Sequence, residues 1–251
     1  MAEVLLSTTA LTKHFGGIVA SDAISLEVRQ GELHAVIGPN GAGKTTLVSQ
    51  LSGEVRPDSG SIRFDGADVT HLPIYQRARL GFGRSFQITN IVRELTALDN
   101  VALAVQAHDG HSFRFWRPAR SDAALRAPAR AMLDKVDLGG REDVPAGLLS
   151  HGEMRALEVA MALATRPKLL LLDEPLAGMG TDESARMVRL LRALKVEVTI
   201  LLVEHDMEAI FALADRISVL VSGRVIASGA PDAIRRDPEV QRAYLGDEAL
   251  P

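Results

Sequence analysis

The stretch Gly38–Thr46, GPNGAGKTT, fits the pattern G-x-x-x-x-G-K-[ST] and directly follows the apolar run GELHAVIG. No other feature constrains the fold as strongly, because a buried strand must end in a glycine-rich turn and a helix must begin at about Lys44. The glycines let backbone N–H groups face a phosphate at close range, and the helix N-terminus adds the positive end of its dipole. Gly38, Pro39, Asn40, Gly41, Ala42, Gly43, Lys44, Thr45 and Thr46 are therefore candidate phosphate-binding residues. Lys44 would reach the β- and γ-phosphates, and the Thr45 hydroxyl would bind Mg²⁺. A glycine-rich turn with no ligand is the competing reading. With Gly at about 7% of residues, a chance match has odds on the order of one in a hundred, so nucleotide binding is the stronger reading.

Two further apolar runs end in acids. KLLLLDEP and VTILLVEHD have the uninterrupted hydrophobicity of parallel strands buried on both faces. Asp173 ends the first, where a carboxylate can hold a metal and its waters. Glu174 follows at the strand edge, placed to take a proton from an attacking water. Two acids leaving a strand for solvent is the plain alternative, and a phosphate-binding loop in the same chain favours hydrolysis. His205 follows the second run and is a candidate contact for the γ-phosphate and the water, although a histidine at a strand end is commonly structural. Gln87, in GRSFQ, is a neutral amide able to touch both metal and water.

Short strands are expected over residues 4–15, 21–28 and 31–38, a hairpin turning at Asp65-Gly66, and another turning at Ser222-Gly223. From about Leu98 to Thr165 the apolar spacing becomes helical. The expected organisation is a single α/β unit, with residues 1–97 and 166–251 forming the core with its β-subdomain and 98–165 an inserted helical subdomain. Asp237 and Pro238 suit the cap and first turn of a last helix, PEVQRAYL.

Within the helical region, Ser150-His151-Gly152-Glu153 reads as a capping box, and free N–H groups at that helix start make an anion site. Phe15 is a candidate for stacking on adenine, with an apolar core role as the alternative. Trp116, in HSFRFWRPAR, suits either a docking surface or the packing of a long loop.

Composition removes several classes. The chain has no cysteine, which excludes disulfides, thiolate catalysis and Cys-ligated metals. A net charge of −4 gives no electrostatic case for a nucleic-acid binder. The start, MAEVLLSTTALTKHF, lacks the basic and apolar regions of a signal peptide. No apolar stretch approaches the ~18 residues that span a bilayer, so work at a membrane would need a partner.

Gly38–Thr46, Gln87, Ser150–Gly152, Asp173–Glu174 and His205 occur in one order and together resemble the ATP-binding subunit of ABC transporters. The resemblance covers nearly the whole chain. It implies a P-loop NTPase with an antiparallel β-subdomain and a helical subdomain, binding ATP with Mg²⁺ and closing as a sandwich dimer with two composite sites. In that family Ser150 and Gly152 would hold the γ-phosphate of ATP bound to the opposing subunit. Thr45, Gln87 and Asp173 would arrange the metal, Glu174 would act as base, and His205 would contact the γ-phosphate.

GFGRSFQITNIVRELTALDNV, LLLLDEPLAGMG, ILLVEHDM and DPEVQRAYLG look similar to the ATPases of branched-chain and related hydrophobic amino-acid importers. Such systems imply integral-membrane permease subunits, a second ATPase chain or a second copy, an external solute-binding protein, and a place on the cytoplasmic face of the inner membrane. ATPases of lipopolysaccharide export share the layout, and a soluble ABC ATPase or a weakly catalytic adaptor are further alternatives. Two departures stand out. Where the family usually has Leu-Ser-Gly-Gly-Gln, this chain has His151 and Glu153, and Gly180 replaces a common Asp, with Asp182 two residues on.

Overall fold

The computed structural model describes residues 3–84, 91–109 and 122–245; Gln87 and Trp116 lie outside them. From the N-terminus, β1 (Val4–Phe15) and β2 (Ile18–Arg29) pair antiparallel, and β3 (Leu33–Ile37) follows with all five residues buried. Helix α1 (Lys44–Ser52) starts where the glycine-rich motif requires. The next hairpin joins β4 (Ser59–Phe64) to β5 (Ala67–Asp68). Its turn has Asp65 at φ 49° and Gly66 at φ 76°, the left-handed pair that an Asp-Gly turn adopts. Short elements α2 (Ile74–Leu80) and β6 (Phe82–Arg84) come next.

Three helices fill the middle of the chain: α3 (Ala97–Asp109), α4 (Ala123–Lys135) and α5 (His151–Ala164). Leu98, Val101, Leu125, Leu133 and Leu157 form their common core, and that core runs on into β7 and α6. The α/β alternation then returns with β7 (Leu169–Asp173), α6 (Thr181–Leu194), β8 (Thr199–Val203) and α7 (Met207–Leu213). A hairpin of β9 (Arg216–Val221) and β10 (Arg224–Gly229) turns at Ser222-Gly223 as expected. Helices α8 (Pro231–Arg236) and α9 (Pro238–Leu245) follow, and the Asp237 carboxylate caps α9 by accepting from the Glu239 amide at 2.8 Å.

Among the described residues there are two sheets, β2-β1-β4-β5 and β10-β9-β3-β8-β7-β6. The first is antiparallel. In the second, β9, β3, β8, β7 and β6 are parallel and β10 closes one edge antiparallel. Strands β3, β7 and β8 are buried at every position, which explains why their sequences show no polar alternation. Parallel order brings the C-terminal ends of β3, β7 and β8 to the same side, where open α/β sheets bind ligands. No described helix is long and apolar enough to cross a membrane.

Candidate nucleotide site

Strand β3 lies between β8 and β9 and delivers the glycine-rich loop at the centre of the sheet edge. Two of its glycines are dictated by space. A Cβ on Gly38 would lie 2.1 Å from the Leu220 carbonyl oxygen, and one on Gly43 would lie 2.2 Å from that of Ala20. Gly43 also sits at φ 102°, outside the range of ordinary side chains. The loop is held from behind by both sheets. The Gly223 amide donates to the Ala42 carbonyl at 2.9 Å and the Asp22 amide to that of Gly223 at 2.8 Å. Arg224 pairs with the Asp22 carboxylate at 2.6 Å.

Lys44 is buried and turned onto the loop itself, its Nζ donating to the Gly38 and Pro39 carbonyls at 2.6 and 3.1 Å. Burial pulls this ammonium below its usual pKa, while the charges of Glu174 and Asp173 oppose the shift. The far end of α1 is also anchored. Arg77 is fully buried and donates to the carbonyls of Gln50, Leu51, Thr70 and Leu72 at 2.6–3.0 Å. Two of those carbonyls belong to the last turn of α1, where a cation complements the helix dipole. Burial lowers the Arg77 pKa to about 10.

The acids stand as the apolar runs place them. Asp173 ends β7 almost wholly buried, and neither carboxylate oxygen has a hydrogen-bond partner. Burial raises its pKa, against the pull of Arg84 and Lys44. A buried acceptor pair without donors suits a cation. Among the described residues no cluster of three or more His, Cys, Asp or Glu makes a self-sufficient metal cage. One carboxylate, a hydroxyl and substrate phosphates are the usual donor set of Mg²⁺, and Asp173 and the exposed Thr45 fit it.

Glu174 is partly exposed, with its backbone at φ 51°. His205, on the loop after the neighbouring β8, has its Nδ1 3.8 Å from Glu174 Oε1 and is 60% exposed. The intervening Glu204, missed in the sequence, is wholly buried and accepts from the amides of Leu176 and His205.

Phe15 is 48% exposed at the β1–β2 turn, with the Lys13 ammonium 5.4 Å from its ring centroid. The core reading of Phe15 is therefore excluded. Its hairpin is the one whose Ala20 presses on Gly43.

At the start of α5 the capping box is complete. Ser150 Oγ accepts from the Glu153 amide at 3.2 Å, and the Glu153 carboxylate accepts from the Ser150 amide at 2.8 Å. Glu153 is further paired with Arg141 at 3.0 Å, so its charge is spent locally. The anion at this turn is the Glu183 carboxylate from α6. It takes hydrogen bonds from Ser150 Oγ and the Gly152 amide, and the Ser150 bond is the main reason its pKa is lowered. Glu183 was not anticipated, whereas Gly180 and Asp182 beside it were. His151 Nε2 donates to the Ala177 carbonyl at 3.0 Å, a second tie between this turn and the loop after β7. A cleft of about 420 Å³ beside the turn is lined by Ser150, Gly152, Met179, Glu183 and Arg186 among others.

Residues 21–177 match the family described as ABC transporter. The chain belongs to the ABC transporter ATP-binding family. Residues 224–249 of this ABC cassette match a second family, described as branched-chain amino acid ATP-binding cassette transporter. The cassette is 38% identical to the high-affinity branched-chain amino acid transport ATP-binding protein BraF of Pseudomonas aeruginosa, over 98% of this chain and 100% of that protein. It is 37% identical to the Escherichia coli protein LivG of the same description, with the same coverage. Among solved structures it resembles a nucleotide-free ATP-binding cassette from an ABC transporter, with TM-score 0.86 and 28% identity over 97% of this chain and 100% of that one. A cassette in its ADP conformation matches with the same TM-score and identity over 97% of this chain and 99% of that one. This chain is thus an ABC-type ATPase whose substrate is ATP.

Proposed function

We propose that this chain is the ATP-hydrolysing subunit of an importer for branched-chain amino acids or related small solutes. The observation that carries the chemistry is the meeting of Asp173, Glu174 and His205 at the ends of β7 and β8, with Glu174 and His205 3.8 Å apart. The loop Gly38–Thr46 holds the nucleotide phosphates, with Lys44 leaving its own loop carbonyls for them, and Phe15 stacks on the adenine. Asp173, Thr45 and Gln87 would hold Mg²⁺, which when bound neutralises phosphate charge. Glu174 takes the proton of a water that attacks the γ-phosphorus in line, as the bond to the bridging oxygen breaks and ADP leaves. His205 steadies the γ-phosphate. Ser150 and Gly152 receive the γ-phosphate of ATP held by the opposing subunit, so the working unit is a dimer with itself or with a paralogous chain.

In this reading residues 98–165 act as the inserted helical subdomain. The partners are membrane permease subunits and, through them, an external solute-binding protein; no nucleic acid is involved. The place of work is the cytoplasmic face of the inner membrane. The names of BraF and LivG and the match over residues 224–249 support the choice of solute class.

Gentle detergent purification of the chain from native membranes tests the assignment. Recovery of two polytopic proteins and a second ATPase is expected, and the associated binding protein then takes branched-chain amino acids in a thermal-shift screen. A homodimer on lipopolysaccharide-export proteins would move the function to export. Ribosomal or DNA-associated partners without membrane proteins would overturn transport and leave the ATPase.

A further inference from the structure

We infer that Glu204 is a positioning residue that locks Glu174 and His205 into one geometry. Its side chain is 0% exposed, and each carboxylate oxygen faces a backbone donor. Oε1 accepts from the Leu176 amide at 2.7 Å, and Oε2 from the His205 amide at 2.9 Å. Because both partners are N–H groups, the position needs two acceptors. A Gln there would aim its NH₂ at one of the two donors, and a Ser or Thr would leave one unmet.

What the clamp holds is a strained backbone. Glu174 sits at φ 51°, in the left-handed region that a residue with a side chain keeps only when its surroundings enforce it. The end of β8 supplies that enforcement on both sides. The Val203 carbonyl takes the Glu174 amide at 2.8 Å, and Glu204 takes the amide of Leu176 two residues on. Since Glu204 also fixes the His205 amide, one buried carboxylate sets the separation between the two side chains at the sheet edge. The inference rests on the assignment of Glu174 as base and His205 as γ-phosphate contact.

The test is steady-state ATP hydrolysis by the purified full chain, with MgADP affinity measured by titration. Glu204→Gln is expected to lower kcat at least tenfold with KM and ADP affinity within twofold of the parent. Glu204→Asp, which keeps both acceptors but retracts them, should fall between the two; it also serves if the Gln variant does not fold. A purely structural role would lower affinity and turnover together, and that result, or parental kcat in Glu204→Gln, would overturn the inference. Glu174→Gln and His205→Ala are run beside it. If those two lose turnover and Glu204→Gln does not, Glu204 alone is wrongly assigned. If they keep turnover, the reading of the site falls and the inference with it.

Discussion

Ser150 Oγ donates a hydrogen bond to Glu183 Oε1 at 3.1 Å, so the start of α5 already holds a carboxylate from its own subunit. The Gly152 amide reaches the same oxygen at 3.3 Å. In the proposed dimer, a phosphate arriving from an opposing subunit would meet an occupied site, and the carboxylate would have to leave.

Glu183→Gln removes that competing charge. In a Glu174→Gln background, where the proposed loss of the base should let ATP persist, ATP-driven dimerisation should reach its midpoint at several-fold lower ATP. Analytical ultracentrifugation reads this, and a higher midpoint would mean that Glu183 supports the closed dimer instead. The Glu183 pKa is depressed below 4.5, so the contact contributes above that value and is lost only as pH falls through the lower folded value. Between pH 6 and 8 the parent midpoint should therefore carry no contribution from titration of Glu183.

Ser150→Arg should abolish most hydrolysis while leaving ATP affinity of the isolated chain within about twofold. The guanidinium would pair with Glu183 and fill the turn, and Ser150 and Glu183 belong to the starts of α5 and α6, not to the Gly38–Thr46 loop or α1. Equilibrium titration with a fluorescent ATP analogue beside a phosphate-release assay separates the effects. Parallel loss of both would show that Ser150 acts within its own subunit.

The two left-handed glycines of the loop should respond differently to alanine. At Gly41, φ is 80° and a Cβ would meet nothing within 4 Å, so Gly41→Ala bears only backbone strain of about 1 kcal/mol. At Gly43 the same strain is joined by a backbone contact at 2.2 Å. Gly43→Ala should lose ADP binding and lower the unfolding midpoint well beyond Gly41→Ala. Equal effects in calorimetry and titration would remove the role given to Ala20.

Arg77→Met takes the guanidinium from the carbonyls of Leu51, Thr70 and Leu72, while that of Gln50 keeps the Gly53 amide at 3.2 Å. A loss on the order of 3 kcal/mol is expected, read as a fall in Tm of about 10 °C. A Tm within 2 °C of the parent would mean that water replaces the guanidinium.

Much of this architecture could be read directly from the chain, because the determinants are local. The glycine-rich loop, the Asp65-Gly66 and Ser222-Gly223 turns, the Asp237 cap and the Ser150–Glu153 box each lie within a few adjacent residues. Asp173 and Glu174 stood out because an acid ending an apolar run is conspicuous. Arg77 and Glu183 escaped notice for the opposite reason, since an Arg or Glu in a polar stretch looks like any solvated charge. Glu204 does end an apolar run, but the Leu176 amide that it takes lies 28 residues back in the chain. The pairing of β6 with β7 was invisible too, since three residues, Phe82–Arg84, carry no periodicity of their own.

The wall behind the phosphate-binding loop is built from both ends of the chain, Ala20 and Asp22 on one side and Gly223 on the other. During synthesis the complete glycine-rich sequence emerges long before Gly223 exists. The loop therefore cannot acquire its final shape as a free-standing unit, and competence for nucleotide becomes a certificate of finished folding. A chain stopped short of the last hairpin would display the motif intact and keep Ala20 beside it, yet lack the Leu220 carbonyl against Gly38 and the Gly223 amide on Ala42.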